Sequence, residues 1–203
     1  MSVDERMVHD IVQKVMANMQ ISGSVSGMHG VFKDMNDAIN ASIEAQKKVC
    51  TMTLDQREQI ISLIRKKTHE NAEILANMGV NETGMGNVGD KILKHHLTAD
   101  KVPGTEDIST IAWSGDRGLT LVEMGPFGVI GAITPATNPS ETVICNCIGM
   151  LAGGNTVVFN PHPNAKKTTI YTINMINEAS IEAGGPDTVS YTHLRAHETS
   201  AHL

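Results

Sequence analysis

Apolar residues recur along this chain in two rhythms, and the change between them divides it. From about Val3 to Gln20, Val8, Ile11, Val12, Val15, Met16 and Met19 fall at i, i+3, i+4, i+7, i+8 and i+11, which is one stripe of a helix. Asp4 and Glu5 stand at the start of that stripe, where the positive end of the helix dipole favours carboxylates. Ile21 to Gly30 (ISGSVSGMHG) is rich in Gly and Ser and reads as a flexible linker. The pattern predicts an amphipathic helix over 1–20, tethered by residues 21–30 to a body that begins near Val31. Whether that helix docks on its own domain or on a partner is left open by the pattern alone.

In the body, Asp34 or Asn36 can cap a helix through about Val49. Ile60, Ile61, Leu63, Ile64, Ala72, Leu75 and Ala76 keep a helical period over about Leu54 to Met78. The polar, Gly-rich run Asn81 to Asn87 reads as a break, before a helix over Lys91 to Ala99. Gly118 to Met124 and Gly128 to Thr134 read as strands, with Gly125 and Pro126 as the turn between them. From Gly128 the rhythm alternates. Val129 to Ile133 is a continuous apolar run, as in a strand covered on both faces. Pro135 to Pro139 break the chain before a helix over about Ser140 to Ala152. A Gly153-Gly154-Asn155 turn leads to a second buried strand, Thr156 to Phe159. After Pro161-His162-Pro163, a helix runs over about Ala165 to Ala183. Strand, helix, strand, helix with short connections predicts an α/β fold, a parallel sheet with crossover helices.

Composition narrows the function. With 40% hydrophobic and 19% charged residues this is an ordinary globular chain, and it has no apolar run of the length a membrane span needs. A formal charge of −6 offers no basic surplus for nucleic acid. The three cysteines, Cys50, Cys145 and Cys147, form an odd set without an export signal, which suits a reducing cytoplasm. Aromatics make up only 3%, so the core must rest on aliphatic side chains.

Three segments carry a family resemblance. The first is Glu82-Thr83-Gly84-Met85-Gly86, with Asp90-Lys91 and Lys94 after it. The second is Pro126-Phe127-Gly128-Val129-Ile130-Gly131, running into Thr134-Pro135-Ala136-Thr137-Asn138-Pro139. The third is Leu151-Ala152-Gly153-Gly154-Asn155-Thr156-Val157-Val158, then Pro161-His162-Pro163 and Ala165-Lys166-Lys167. In this order they resemble the aldehyde dehydrogenases. Dehydrogenases that release a free acid carry Trp-Asn or Phe-Asn ahead of the second segment's proline, and a ribose-binding Lys just before the third's. Here the residues are Thr137-Asn138-Pro139 and Asn160-Pro161-His162, which are similar to the CoA-acylating branch, including the acetaldehyde and propionaldehyde dehydrogenases of bacterial microcompartments. Those enzymes often begin with a short amphipathic helix and a linker that target them to the shell interior, an arrangement that residues 1–20 and 21–30 match.

The resemblance implies a reaction of an aldehyde with CoA and NAD to give acyl-CoA and NADH through a cysteine thioester. It implies an aldehyde dehydrogenase-like fold: N-terminal helices leading into an incomplete, Rossmann-like nucleotide-binding domain over 31–187. Asn138 is the candidate amide for stabilising the oxyanion, against a plain turn role before Pro139, and a one-residue shift would pass that position to Thr137. Thr134, Pro135, Ala136 and Thr137 are placed beside the nicotinamide ribose, and Asn160, Pro161 and His162 near the adenosine, at strand ends where open parallel sheets bind ligands. Lys166 either meets a phosphate or is a solvated first-turn lysine. Cys145 and Cys147 sit in an apolar helix and do not read as the nucleophile, which the family carries beyond Asp187. The partners implied are a small aldehyde and CoA, a microcompartment shell protein through residues 1–20, and further copies of the chain in a homo-oligomer. The location implied is cytoplasmic, inside a microcompartment. Two rival readings are a segment of a non-acylating NAD(P)-dependent enzyme and a non-catalytic protein that binds a shell.

The end of the chain departs from the pattern. Residues 188–203 hold three histidines, little apolar periodicity and no family motif, and read as out-of-frame or adapter sequence that adds nothing to the fold. His193 and His197 are spaced i, i+4, but no third ligand accompanies them, so no metal site is read.

Overall fold

The computed structural model describes residues 28–186 and 189–193. The helix expected over 1–20, most of the linker and residues 194–203 lie outside the described residues.

The first described strand, β1 (Val31–Phe32), leads to helix α1 (Met35–Val49). Asp34 rather than Asn36 is the N-cap, its carboxylate accepting from the Asn36 N–H at 2.8 Å. Helix α2 (Leu54–Thr83) opens on a capping box between Thr53 and Gln56 and ends at Gly84, whose φ of 68° is left-handed. It runs five residues past the predicted end. Asn81, Glu82 and Thr83 are polar but helical, and the break waits for the first glycine able to reverse the backbone. Helix α3 (Val88–Lys101) starts from Asn87, whose side chain accepts from the Asp90 N–H at 2.9 Å.

Strand β3 (Gly118–Val122) pairs antiparallel with β2 (Ile111–Gly115), which the hydrophobic pattern did not reveal, and not with the strand after Pro126. The two-residue loop Asp116-Arg117 lacks the Asn-Gly or Asp-Gly signal that marks a tight hairpin. Every position of this hairpin is exposed on both faces, Trp113 and Leu121 included.

The main sheet is parallel, in the order β1-β6-β5-β4, with β4 (Val129–Ile133), β5 (Thr156–Asn160) and β6 (Ser190–His193). Helix α4 (Pro139–Ala152) joins β4 to β5, as predicted, and α5 (Lys166–Glu182) leads from β5 to β6. On one face Ala132, Val157, Phe159 and Val189 pack against Ile60, Ile64, Ile144, Ile148 and Ile173. On the other, Val158 and Tyr191 meet Ala38 and Ala45 of α1. Three layers result, with α1 on one side and α2, α4 and α5 on the other. Strand β4 forms an open edge, where Ile133 is 81% exposed.

Strand β6 corrects the reading of the tail. Residues 190–193 enter the sheet between β1 and β5, although the chain from Thr188 was expected to leave the fold. Val189 and Tyr191 alternate with Ser190 and Thr192, and all four are buried. Asn177 of α5 makes the strand's start satisfiable: its Oδ1 accepts from the N–H groups of Val189 and Ser190, and its Nδ2 donates to the Ser190 carbonyl at 2.7 Å. A two-residue alternation of this length is below what periodicity resolves beside three histidines.

The Glu82 carboxylate, at the end of α2, has a structural task. It accepts from the N–H groups of Lys167 and Thr168 and from the Thr168 hydroxyl, each at 2.7 Å. Helix α5 has no side-chain cap of its own at Ala165, so Glu82 caps it from a different helix. Glu82→Ala should therefore destabilise the chain by about 1–2 kcal/mol, with Glu82→Gln intermediate, in urea unfolding. Equal midpoints for the parent and Glu82→Ala would sink the capping role.

Candidate active site

Parallel strands bring their C-terminal ends to one rim of the sheet, and the loops after β4 and β5 meet there. Thr134 follows β4 with its N–H donating to the Asn160 carbonyl at 3.1 Å, which couples the two loops. The Thr134 side chain is buried and its hydroxyl has no partner among the described residues; neither does the buried Oδ1 of Asn160. Ala136 and Pro161 are buried, while Pro135, Thr137 and His162 are exposed. His162 Nδ1 accepts from the Asn164 N–H at 3.1 Å, an N-cap bond for the short 3₁₀ turn Pro163–Ala165. The structure thus gathers all the sequence-predicted residues on one rim, in two adjacent groups.

Asn138 stands at the N-cap of α4, ahead of Pro139, a first-turn position suited to proline. Its backbone carbonyl accepts from the Thr142 N–H at 3.0 Å, but its side chain caps nothing. Asn138 Oδ1 instead accepts from Lys91 Nζ at 3.2 Å and Lys94 Nζ at 3.0 Å, both on α3. Lys91 also donates to the Thr137 carbonyl at 2.5 Å and to Glu141 Oε1 at 3.0 Å. Lys91 and Glu141 are each 6% exposed, so this is a buried ion pair with every ammonium proton used.

Beside it lies a second buried pair. His95 Nδ1 faces the Lys91 carbonyl at 2.7 Å, and Nε2 faces Ser140 Oγ at 2.7 Å. A carbonyl only accepts, so Nδ1 carries the proton and donates to it, and Nε2 of the neutral ring accepts a hydrogen bond from the Ser140 hydroxyl, which also lies 3.2 Å from Glu141 Oε2. Burial pushes the His95 pKa down, partly offset by the Glu141 charge, which favours this neutral form. Ser140 and His95 resemble a nucleophile and its base, but they are 1% and 0% exposed, so no substrate reaches them. Their role is to fix the first turn of α4 against α3.

Lys91, Lys94 and His95 therefore form one face of α3 that meets the first turn of α4, with Glu141 opposite. In the sequence the two lysines stand out only as part of a family motif, and Glu141 and His95 do not stand out at all. The i, i+3, i+4 spacing of Lys91, Lys94 and His95 is the signal that could have found them.

The profile of the aldehyde dehydrogenase family matches residues 16–199. The chain belongs to that family. It is 46% identical over 190 residues to an acetylating acetaldehyde dehydrogenase of Bilophila wadsworthia, covering 89% of this chain and 39% of the relative. Among solved structures it is similar to a propionaldehyde dehydrogenase from the fucose-utilisation microcompartment of Clostridium phytofermentans, with 69% identity and a TM-score of 0.82 over 83% of this chain and 39% of that one. A propionaldehyde dehydrogenase of Rhodopseudomonas palustris, solved with bound CoA and an acylated cysteine, is 44% identical with a TM-score of 0.80, again over 83% of this chain and 39% of its own. This aldehyde dehydrogenase chain thus spans about two-fifths of the length of the relatives it matches.

None of the dehydrogenase segment's three thiols has the surroundings of a nucleophile. Burial pushes the fully buried Cys147 thiol up to about 12 and raises that of Cys145. Cys50 is exposed at the end of α1, its sulfur accepting from Gln46 Nε2 at 3.1 Å. Among the described residues, no group of three or more His, Cys, Asp or Glu side chains is placed to hold a metal ion. With a thiol-specific reagent at pH 8, Cys50 should react first, Cys145 slowly, and Cys147 only after unfolding. Fast modification of Cys147 in the folded chain would contradict this order.

Proposed function

We propose that this chain supplies the coenzyme-binding part of an enzyme that converts an aldehyde, CoA and NAD to an acyl-CoA and NADH. The observation that carries this is the pair of unpartnered polar groups, Thr134 Oγ1 and Asn160 Oδ1, on the rim where Asn138 stands. Buried polar groups are rarely left without a partner, and two at neighbouring strand ends fit a ligand rich in hydroxyls, such as a ribose. The relatives, named as acetylating and propionaldehyde dehydrogenases, supply the rest of the reaction.

In this reading Thr134, Pro135, Ala136 and Thr137 line the nicotinamide ribose, and Asn160, Pro161 and His162 the adenosine. A bound nicotinamide supplies a hydride acceptor. Glu82 already fills the N-terminus of α5 with a carboxylate, so that anion-favouring helix end is not free for an extra phosphate, which supports NAD over NADP. The thiolate that carries the acyl group comes from the part of the relatives' length that this chain does not span; the acylated cysteine of the Rhodopseudomonas palustris enzyme supports that chemistry. Asn138 donates through Nδ2 to the oxyanion that forms when the thiolate attacks the aldehyde carbonyl.

A chimera tests the reading: residues 30–186 of this chain replace the matching segment of the Clostridium phytofermentans enzyme. NADH formation with propanal and CoA should survive the exchange. Asn138→Ala in that chimera should lower kcat by roughly 10²–10³-fold, as loss of an oxyanion donor does. A variant that keeps most of its kcat would remove Asn138 from the chemistry.

A second proposal concerns residues 1–20, which we read as a targeting helix for a shell protein, in the cytoplasm and inside a microcompartment. The apolar stripe from Val8 to Met19 and the microcompartment source of a 69%-identical relative support it. The exposed faces of the β2–β3 hairpin, with Trp113, Leu119 and Leu121, support burial against further copies in a homo-oligomer. Deleting residues 1–20 should abolish co-sedimentation with shells; unchanged association would end the targeting reading.

A further inference from the structure

We infer that Lys91 and Lys94 are positioning residues for Asn138, gripping its side-chain oxygen so that only the Nδ2–H donors are left for the substrate. The inference rests on the oxyanion reading of Asn138 and deepens it.

A side-chain amide has two ends of nearly equal size and opposite polarity. An asparagine meant to stabilise an anion works only with its NH₂ end presented; the reversed amide would offer a partial negative charge instead. At Asn138 the backbone does not settle the matter, because the side chain makes no capping bond that would hold it. The two ammonium groups settle it. They lie 3.2 and 3.0 Å from Oδ1, and rotating the amide would bring its N–H hydrogens against both cations.

The two lysines differ in how they are held. Lys91 is immobilised: its three protons are spent on Thr137 O, Asn138 Oδ1 and Glu141 Oε1, and its charge is matched by Glu141. It sets the position of the clamp. Lys94 is exposed, free to turn to water, and has no carboxylate partner among the described residues, yet its ammonium lies on Asn138. Its charge is therefore not cancelled locally. A cation on the amide oxygen draws electron density from the nitrogen, which makes the N–H groups stronger donors. The pair thus sets the direction of the amide and strengthens it.

The test reads the amide directly. In the full 203-residue chain with ¹⁵N-labelled asparagine, the Asn138 side-chain signal is identified by its loss in Asn138→Asp. Lys94→Ala should move that signal upfield and speed rotation about its C–N bond, and Lys94→Arg should restore both. Because Lys94 is exposed, these variants leave the core untouched. In the chimera, Lys94→Ala should lower kcat about five- to tenfold with the KM for NAD unchanged, and Lys94→Arg should recover most of it. An Asn138 signal indifferent to Lys94→Ala overturns the clamp. So does a kcat that falls in Asn138→Ala but not in Lys94→Ala, which leaves the oxyanion reading standing. Full kcat in Asn138→Ala removes that reading itself, and the catalytic meaning of the clamp with it.

Discussion

The Lys91–Glu141 ion pair is the interaction on which the rim of the sheet depends. Two opposite charges, both almost wholly buried, are tolerable only when each is matched and its remaining hydrogen-bonding capacity is used. Lys91 meets that condition by binding the carbonyl of Thr137 and the side chain of Asn138 as well as Glu141. The same requirement that makes the charge bearable therefore ties α3 to the loop after β4 and to the first turn of α4. Removing one partner from such a pair typically costs about 3–5 kcal/mol, because the other charge stays buried. The loop that carries Thr134 to Asn138 inherits its shape from that constraint.

Helix α2 serves the same end from below. Arg57 donates to the Ala152 carbonyl at the end of α4, and Arg65 donates to Ala99 and Val102 at the end of α3. Glu82 receives the first N–H groups of α5. Each charge has the sign that its helix end favours, cations at carboxyl termini and a carboxylate at an amino terminus. One long helix thereby satisfies orphan backbone groups on its three neighbours and fixes them relative to one another. The spacing between Thr134 and Asn160 is set by the β4–β5 ladder and the backbone bond between them, and α2 fixes the helices packed around those strand ends.

How much of this was legible depends on the range of each signal. Helices α1, α4 and α5 and strands β4 and β5 were readable because their caps, prolines and apolar periods lie within a dozen residues. The end of α2 was misplaced, since Asn81 to Thr83 look like loop residues until Gly84 is seen to carry the reversal. The hairpin β2–β3 was missed because both of its faces are exposed, which leaves no alternation to find. Strand β6 was missed because its fit depends on Asn177, which supplies the bonds its backbone needs. The candidate site divides in the same way. Thr134, Asn138 and Asn160 could be named from motifs at strand ends, whereas Glu141 became visible only when folding brought it to a lysine fifty residues away.

The motifs that marked the family turn out to perform two kinds of work. Glu82, the first residue of the most recognisable segment, caps α5 through the N–H groups of Lys167 and Thr168. Lys91 and Lys94, which stand past the core of that segment, are the residues that reach Asn138. A motif read as one functional unit therefore mixes a structural anchor with site residues. The chain places Glu82 and Lys91 only nine residues apart because α2 must end before α3 can begin, and Gly84 lets it end there with a left-handed turn. Moving that turn by one residue would rotate α3 by about 100° relative to Asn138 and carry both lysines off it. The glycine that looks like punctuation is thus what aims the two cations.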